Sequence, residues 1–184
     1  MNTPSLTLVE RLTLANQYRI LAALSTDKAP AFTGNAEILL GGHSGLYAHV
    51  FDEISEEVPP NVTTELQDIL DMFRGINVAF TESLKSEIEA AGLNRGPFSF
   101  NGFSHEYKQY SDQALVMVEH LNMYQELKGE PLISDHWSDM MRYRRMLMIY
   151  QPALKSKEGL TIKVLKGMHD VADALHEELA KRIK

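Results

Sequence analysis

Two sets of side chains in this sequence have spacings that metal or hydrolytic chemistry uses. In His43-x5-His49-x3-Glu53, the last two residues are four apart and would share one face of a helix. His169, Asp173 and His176 stand at i, i+4 and i+7, nearly one line on a helical surface. A metal-dependent hydrolase needs such ligands around an open coordination position in a cleft. Neither set carries a stronger signature such as His-Glu-x-x-His, and a solvated helix needs a polar face in any case. No catalytic residue, metal ligand or cofactor is therefore assigned. A hydrolase-like metal enzyme built on one of these clusters stands as the alternative reading.

Three further residues carry the binding expectations. Projected on a helix over 135–151, Arg144 falls at the centre of an apolar arc of Trp137, Met140, Met141, Leu147 and Met148, with Arg142 and Arg145 towards the outside. A guanidinium that faces a core cannot shed its charge, so it needs a carboxylate, several carbonyls or an anionic ligand. Glu106 as an internal partner and a small anionic ligand are both open. Asn16 lies in the middle of an apolar face made by Val9, Leu12, Ile20 and Ala23. It is either a buried amide bonded to neighbouring backbone or part of a ligand pocket. Arg144, Asn16 and Glu106 are the candidate ligand-binding residues.

The elements that must position them are helical. The first helix, over 5–24, is apolar on a second side too, at Leu14, Tyr18 and Leu21, which suits the inside of a bundle. Short helices are expected over 32–40, stopped by Gly41-Gly42, and over 44–58, with Tyr47, Val50, Phe51 and Ile54 inward. After Pro59-Pro60, the positions Val62, Leu66, Ile69, Phe73, Ile76, Phe80 and Leu84 keep a 3.6-residue period, predicting the longest helix over 62–90 with Gly75 on its polar side. A loop at 94–97 leads to an extended run at Phe98 and Phe100, a turn at Asn101-Gly102, and Ser104 as N-cap of a helix over 104–127. Pro152 should break the Met-rich helix that begins at 135. The last helix, 157–183, spaces Leu160, Val164, Met168, Val171, Leu175 and Leu179 close to an a/d seam, for its own domain or for a partner subunit. The fold class read from this is all-α, an irregular helical bundle of six or seven helices. The domain reading is a helical domain over 1–155, its two lobes meeting near 98–104, and a helical extension over 156–184.

Composition sets the outer bounds. A length of 184 residues, 44% hydrophobic and 23% charged, is ordinary for one globular domain or two small lobes. With no cysteine there are no disulfides, thiolate metal sites or cysteine nucleophiles, which suits a reducing cytoplasm. A net charge of −7 argues against a nucleic-acid partner. The segment Met1-Asn-Thr-Pro-Ser-Leu lacks a basic region and an apolar core, so no signal peptide is expected. No run approaches a membrane span, and no membrane partner is expected.

The stretch from Glu10 to Leu24, then Gly45-Leu-Tyr, Asp68-Ile-Leu-Asp-Met-Phe-Arg74, Phe100-Asn-Gly-Phe-Ser-His-Glu106 and Tyr143-Arg-Arg-Met-Leu147, resembles in order the YfbU family of small bacterial proteins. The similarity runs over about 8–154. It implies an all-α fold with no established activity and no agreed catalytic residues to carry over. Some members add a helix-turn-helix DNA-binding domain, which implies sensing or interaction for the shared part; nothing here looks like that addition. Relatives often continue the hinge turn as Gly-Phe-Asp, where this chain has Ser104. Together these readings predict a cytoplasmic ligand-sensing or protein-interaction domain, working as a homo-oligomer with a small anionic ligand or a protein partner.

Overall fold

Proline and glycine set several of the element boundaries. The computed structural model describes residues 4–136, 138–156 and 159–182. They form eight α-helices, with 72% of residues helical and 2% in strands, so the fold is all-α. The chain divides into two compact units, 1–57 and 58–184.

The first unit holds α1 (Leu8–Leu24), α2 (Ala29–Gly41) and a single turn, α3 (Tyr47–Val50). Its core is Ala15, Ala36, Leu39, Tyr47 and Val50, flanked by Leu6, Leu14, Tyr18, Ile38 and Phe51. The helix expected over 44–58 stops at Val50, and the chain from Ile54 to Pro59 has no regular structure. His49 and Glu53 therefore do not share a helix. Four acidic residues crowd 52–57 without a single Lys or Arg, and that self-repulsion gives a helix nothing to hold it.

The second unit contains α4 (Pro60–Val78), α5 (Lys85–Ala90), α6 (Lys108–Leu115), α7 (Ser138–Lys155) and α8 (Ile162–Arg182). Val62, Leu66, Ile69, Phe73 and Ile76 are buried as their period requires. The 62–90 helix is not continuous, because a π-helical turn at Ala79–Ser83 shifts the register before α5 restarts. Gly75 is not on the polar side: a Cβ there would come 2.7 Å from the Tyr150 hydroxyl and 3.1 Å from Leu160, so its absence lets α7 approach. Pro152 does not end α7, which runs on to Lys155. Met148 and Pro152 are both exposed, so the carbonyl that proline leaves without a partner lies on the solvent side. The seam of α8 is used at home: Leu165, Met168, Ala172 and Leu175 are buried, with Val164 and Val171 against the same core, and α8 lies along α7. The side chain of Leu179 lies outside the described residues, as does Trp137.

Residues 98–104, expected where two lobes meet, are interior to the second unit. Two residues of β1 (Phe103–Ser104) pair in parallel with two of β2 (Ile133–Ser134). Gly102 sits at φ +82° against the backbone of 131–133, where a Cβ would come within 2.5 Å of the Leu132 carbonyl carbon. Ser104 takes the N-cap position of a short 3₁₀ turn, but its buried hydroxyl makes no capping bond and has no partner among the described residues.

Candidate functional site

Of the expected binding residues, Arg144 and Glu106 belong to the second unit and Asn16 to the first. Arg144 does not face the core. Its side chain is 46% exposed and bonds bidentately to Glu65, Nε to Oε1 at 2.7 Å and Nη2 to Oε2 at 3.0 Å. Its charge centre also lies 5.7 Å from the Tyr107 ring. Glu106, expected as its partner, is exposed. The Arg144 hydrogen bond holds the Glu65 carboxyl below its ordinary range, and Glu65 raises the guanidinium in return. Tyr110 donates to Glu65 as well, and burial pushes its phenol up to about 12.

The inward arginine is Arg142, with a side chain only 12% exposed. It donates to the Pro97 carbonyl at 2.7 Å, the Ser99 carbonyl at 2.8 Å and Asp139 Oδ1 at 3.0 Å. Asp139, itself buried, also accepts from the Asn101 amide and the Ser134 hydroxyl. Tyr143 accepts from the Asn101 backbone N–H and donates to the Gly102 carbonyl, and its burial keeps the phenol protonated for that role. Phe73, Phe100 and Phe103 surround the Tyr143 ring with centroids 5.0–5.9 Å away. Asp139, Arg142 and Tyr143 thus clamp 97–104 from one helix. Each of the three clamp side chains is bonded to the fold. The adjoining cleft, lined by Asn77, Arg95, Ser99 and Glu126 among others, holds about 70 Å³. Small-molecule sites usually offer ~300 Å³ or more.

His43, His49 and Glu53 are not carried on one helix. Among the described residues no three His, Asp or Glu side chains come together as a metal site. His169 Nδ1 lies 3.1 Å from Asp173 and its ring packs beside Phe98, while the side chain of His176 lies outside the described residues.

What remains unspent is one side of α1. Its start is fixed by a capping box: Thr7 Oγ1 accepts from the Glu10 N–H, and Glu10 accepts from the Thr7 N–H at 2.7 Å. One face then turns inward. Ala15 is fully buried, the Tyr18 hydroxyl donates to the Val50 carbonyl, and Arg11 reaches the Leu39 carbonyl at the C-terminal end of α2, over Gly42. The opposite face is left bare. Val9 is 73% exposed, Leu12 54% and Ile20 60%, with Leu8 and Leu24 more exposed still. Asn16 sits among them, exposed to water rather than buried. Leu8, Val9 and Leu12 line an open groove with Leu39 and Leu40 of α2. The sequence does show both apolar faces of α1. Only the size of the first unit shows that α2 and α3 can cover just one of them.

The model of the YfbU domain family matches residues 4–174, which takes in most of α8 as well as the rest of the chain. No curated protein and no solved structure matches.

Proposed function

We propose that this chain, which belongs to the YfbU family, is a non-catalytic protein-interaction domain whose docking face is the bare side of α1. The observation that carries the reading is a row of aliphatic side chains, each at least half exposed, on a well-capped helix. A monomer rarely leaves that much contiguous apolar surface in water, and such patches mark association sites. The ligand-sensing arm has less support, since Arg144 already holds a carboxylate with two of its three guanidinium nitrogens. The side chains of Asp139, Arg142 and Tyr143 are engaged in holding 97–104, which favours a structural role for the clamp. The lack of cysteine suits work in a cytoplasm. Among the described residues no helix is long and apolar enough to cross a membrane.

Hydrogen exchange over 8–24 tests the reading. It should slow when the protein is concentrated, or when dilute protein is placed in an extract of the cells that make it. Exchange in α1 that matches dilute pure protein in both conditions overturns the proposal. Stabilisation by small carboxylates or phosphates that vanishes in Arg144→Met would shift the preference to ligand sensing.

A further inference from the structure

Counted from Asn16, exposed apolar positions of α1 fall in mirrored pairs, Leu8 at −8 with Leu24 at +8, Val9 at −7 with Ala23 at +7, and Leu12 at −4 with Ile20 at +4, while Leu21 at +5 stands outside the pairing. The three pairs read the same from either end. Their centre is Asn16, with the exposed Thr13 and Arg19 mirrored at −3 and +3, and a carboxamide carries both donor and acceptor groups, so a copy of itself supplies what it lacks. We propose that the partner of this face is a second copy of the chain, with the two α1 helices antiparallel across a twofold axis at Asn16. The inference rests on the interaction reading above and names its partner.

In that pairing, residue 16+k meets residue 16−k of the other copy. Leu12 meets Ile20, Leu8 meets Leu24, and Val9 meets Ala23. Parallel helices would set Val9 on Val9 and Ala23 on Ala23, crowding one end and leaving a gap at the other. They would also align the two helix dipoles, whereas the antiparallel pair opposes them. An isologous contact of this kind closes on itself as a dimer. A buried Asn at the centre of an apolar seam is a known device for fixing register, at some cost in stability. Charge agrees with a self-contact: the chain carries −7, yet residues 11–26 contain no carboxylate, so the seam is kept clear of the acidic surface. Area agrees as well. With the half-exposed Leu21 and Leu40, each copy offers on the order of 600–800 Å², against about 800 Å² per partner in a standard interface.

Full-length protein in sedimentation velocity should run as a dimer at tens of micromolar. Leu12→Glu or Ile20→Glu should weaken the dimer at least tenfold, with unchanged circular dichroism in dilute solution because both positions are exposed in one copy. The absence of native cysteine permits a sharper test of direction. Under mild oxidation Asn16→Cys should cross-link to itself. Leu12→Cys alone should not, because the two copies of position 12 lie eight residues apart along the pair, about 12 Å, beyond disulfide reach. The double variant Leu12→Cys, Ile20→Cys should restore cross-linking. Equal cross-linking by Asn16→Cys and Leu12→Cys alone would mean parallel helices and overturn the proposed geometry. Protein that stays monomeric at every concentration overturns the second copy as partner. If α1 is then still protected in extract, the interaction reading stands with another protein as partner; if it is not, both fall.

Discussion

Arg142→Met strips the cation from a buried carboxylate and leaves Asp139 with only the Asn101 amide and the Ser134 hydroxyl as donors. Removing one member of a buried pair costs about 3–5 kcal/mol, and the Pro97 and Ser99 carbonyls lose their donor as well. Arg144→Met, two positions further on, opens a half-exposed pair, for which about 1 kcal/mol or less is expected. Urea denaturation of the two variants should therefore separate them clearly, and equal losses would mean that the clamp is not buried in solution. Glu65 adds a pH dependence of known sign. Its folded pKa is lowered from an ordinary value near 4.5, first by the Arg144 hydrogen bond. The folded state thus binds this proton less readily than the unfolded chain. Its contribution is complete above about pH 4.5 and fades as pH falls through the lowered folded value. Glu65→Gln should accordingly be less stable than the parent at pH 7, and the difference should close in acid. A difference that persists at pH 2 would mean that Glu65 acts through packing rather than charge.

At the scale of elements, the turn at Asn101-Gly102 is the least tolerant point in the second unit. Gly102→Ala would put a side chain into a positive-φ position and against the backbone of 131–133. A loss of about 3 kcal/mol or more is expected, read as a lowered urea midpoint; a neutral outcome would mean that β1 and β2 do not pair. Much of this architecture is legible in the sequence. The period from Val62 to Ile76, the caps at Gly41-Gly42 and Pro59-Pro60, and the turn at Asn101-Gly102 all follow from local chemistry. The orientation of α7 does not. Its buried side is Met140, Tyr143, Met146, Leu147, Tyr150 and Ala153. A projection that weighs Met148 as core and omits the tyrosines rotates the helix, so Arg144 seems to point inward and Arg142 outward. Met148 is exposed, whereas the Tyr143 and Tyr150 hydroxyls both find backbone carbonyls, which is what lets these rings be buried. The break in the 62–90 helix was equally hidden, because Phe80 and Leu84 keep the apolar period through the π turn. At the candidate face, Asn16 and its neighbours were visible as a stripe, but their exposure depends on what else the unit can offer to cover them.

The two units differ in how much they bury. Among the described residues, the first unit's core holds five fully shielded apolar residues, two of them alanines, whereas the second unit encloses a continuous cluster running from Val62 to Ala172. Amide exchange in dilute protein should be fastest over 8–50 and slowest in α4 and α7, since opening free energy tracks buried contacts. Comparable protection in both units at dilutions where the chain is monomeric would contradict this ordering.

The clamp on 97–104 also has a consequence during synthesis. The ribosome makes the segment before it makes the helix that gives it shape: Arg142 bonds to the Pro97 carbonyl 45 residues back, and Tyr143 to Gly102 41 residues back. At ~5–20 residues per second, the wait is on the order of 2–9 s, and longer while the exit tunnel hides the newest residues. Throughout it Phe98, Phe100 and Phe103 lack the Tyr143 ring and the α7 surface that enclose them in the finished protein. A nascent chain paused or truncated before Ser138 is therefore the form of this protein most exposed to chaperones and proteases.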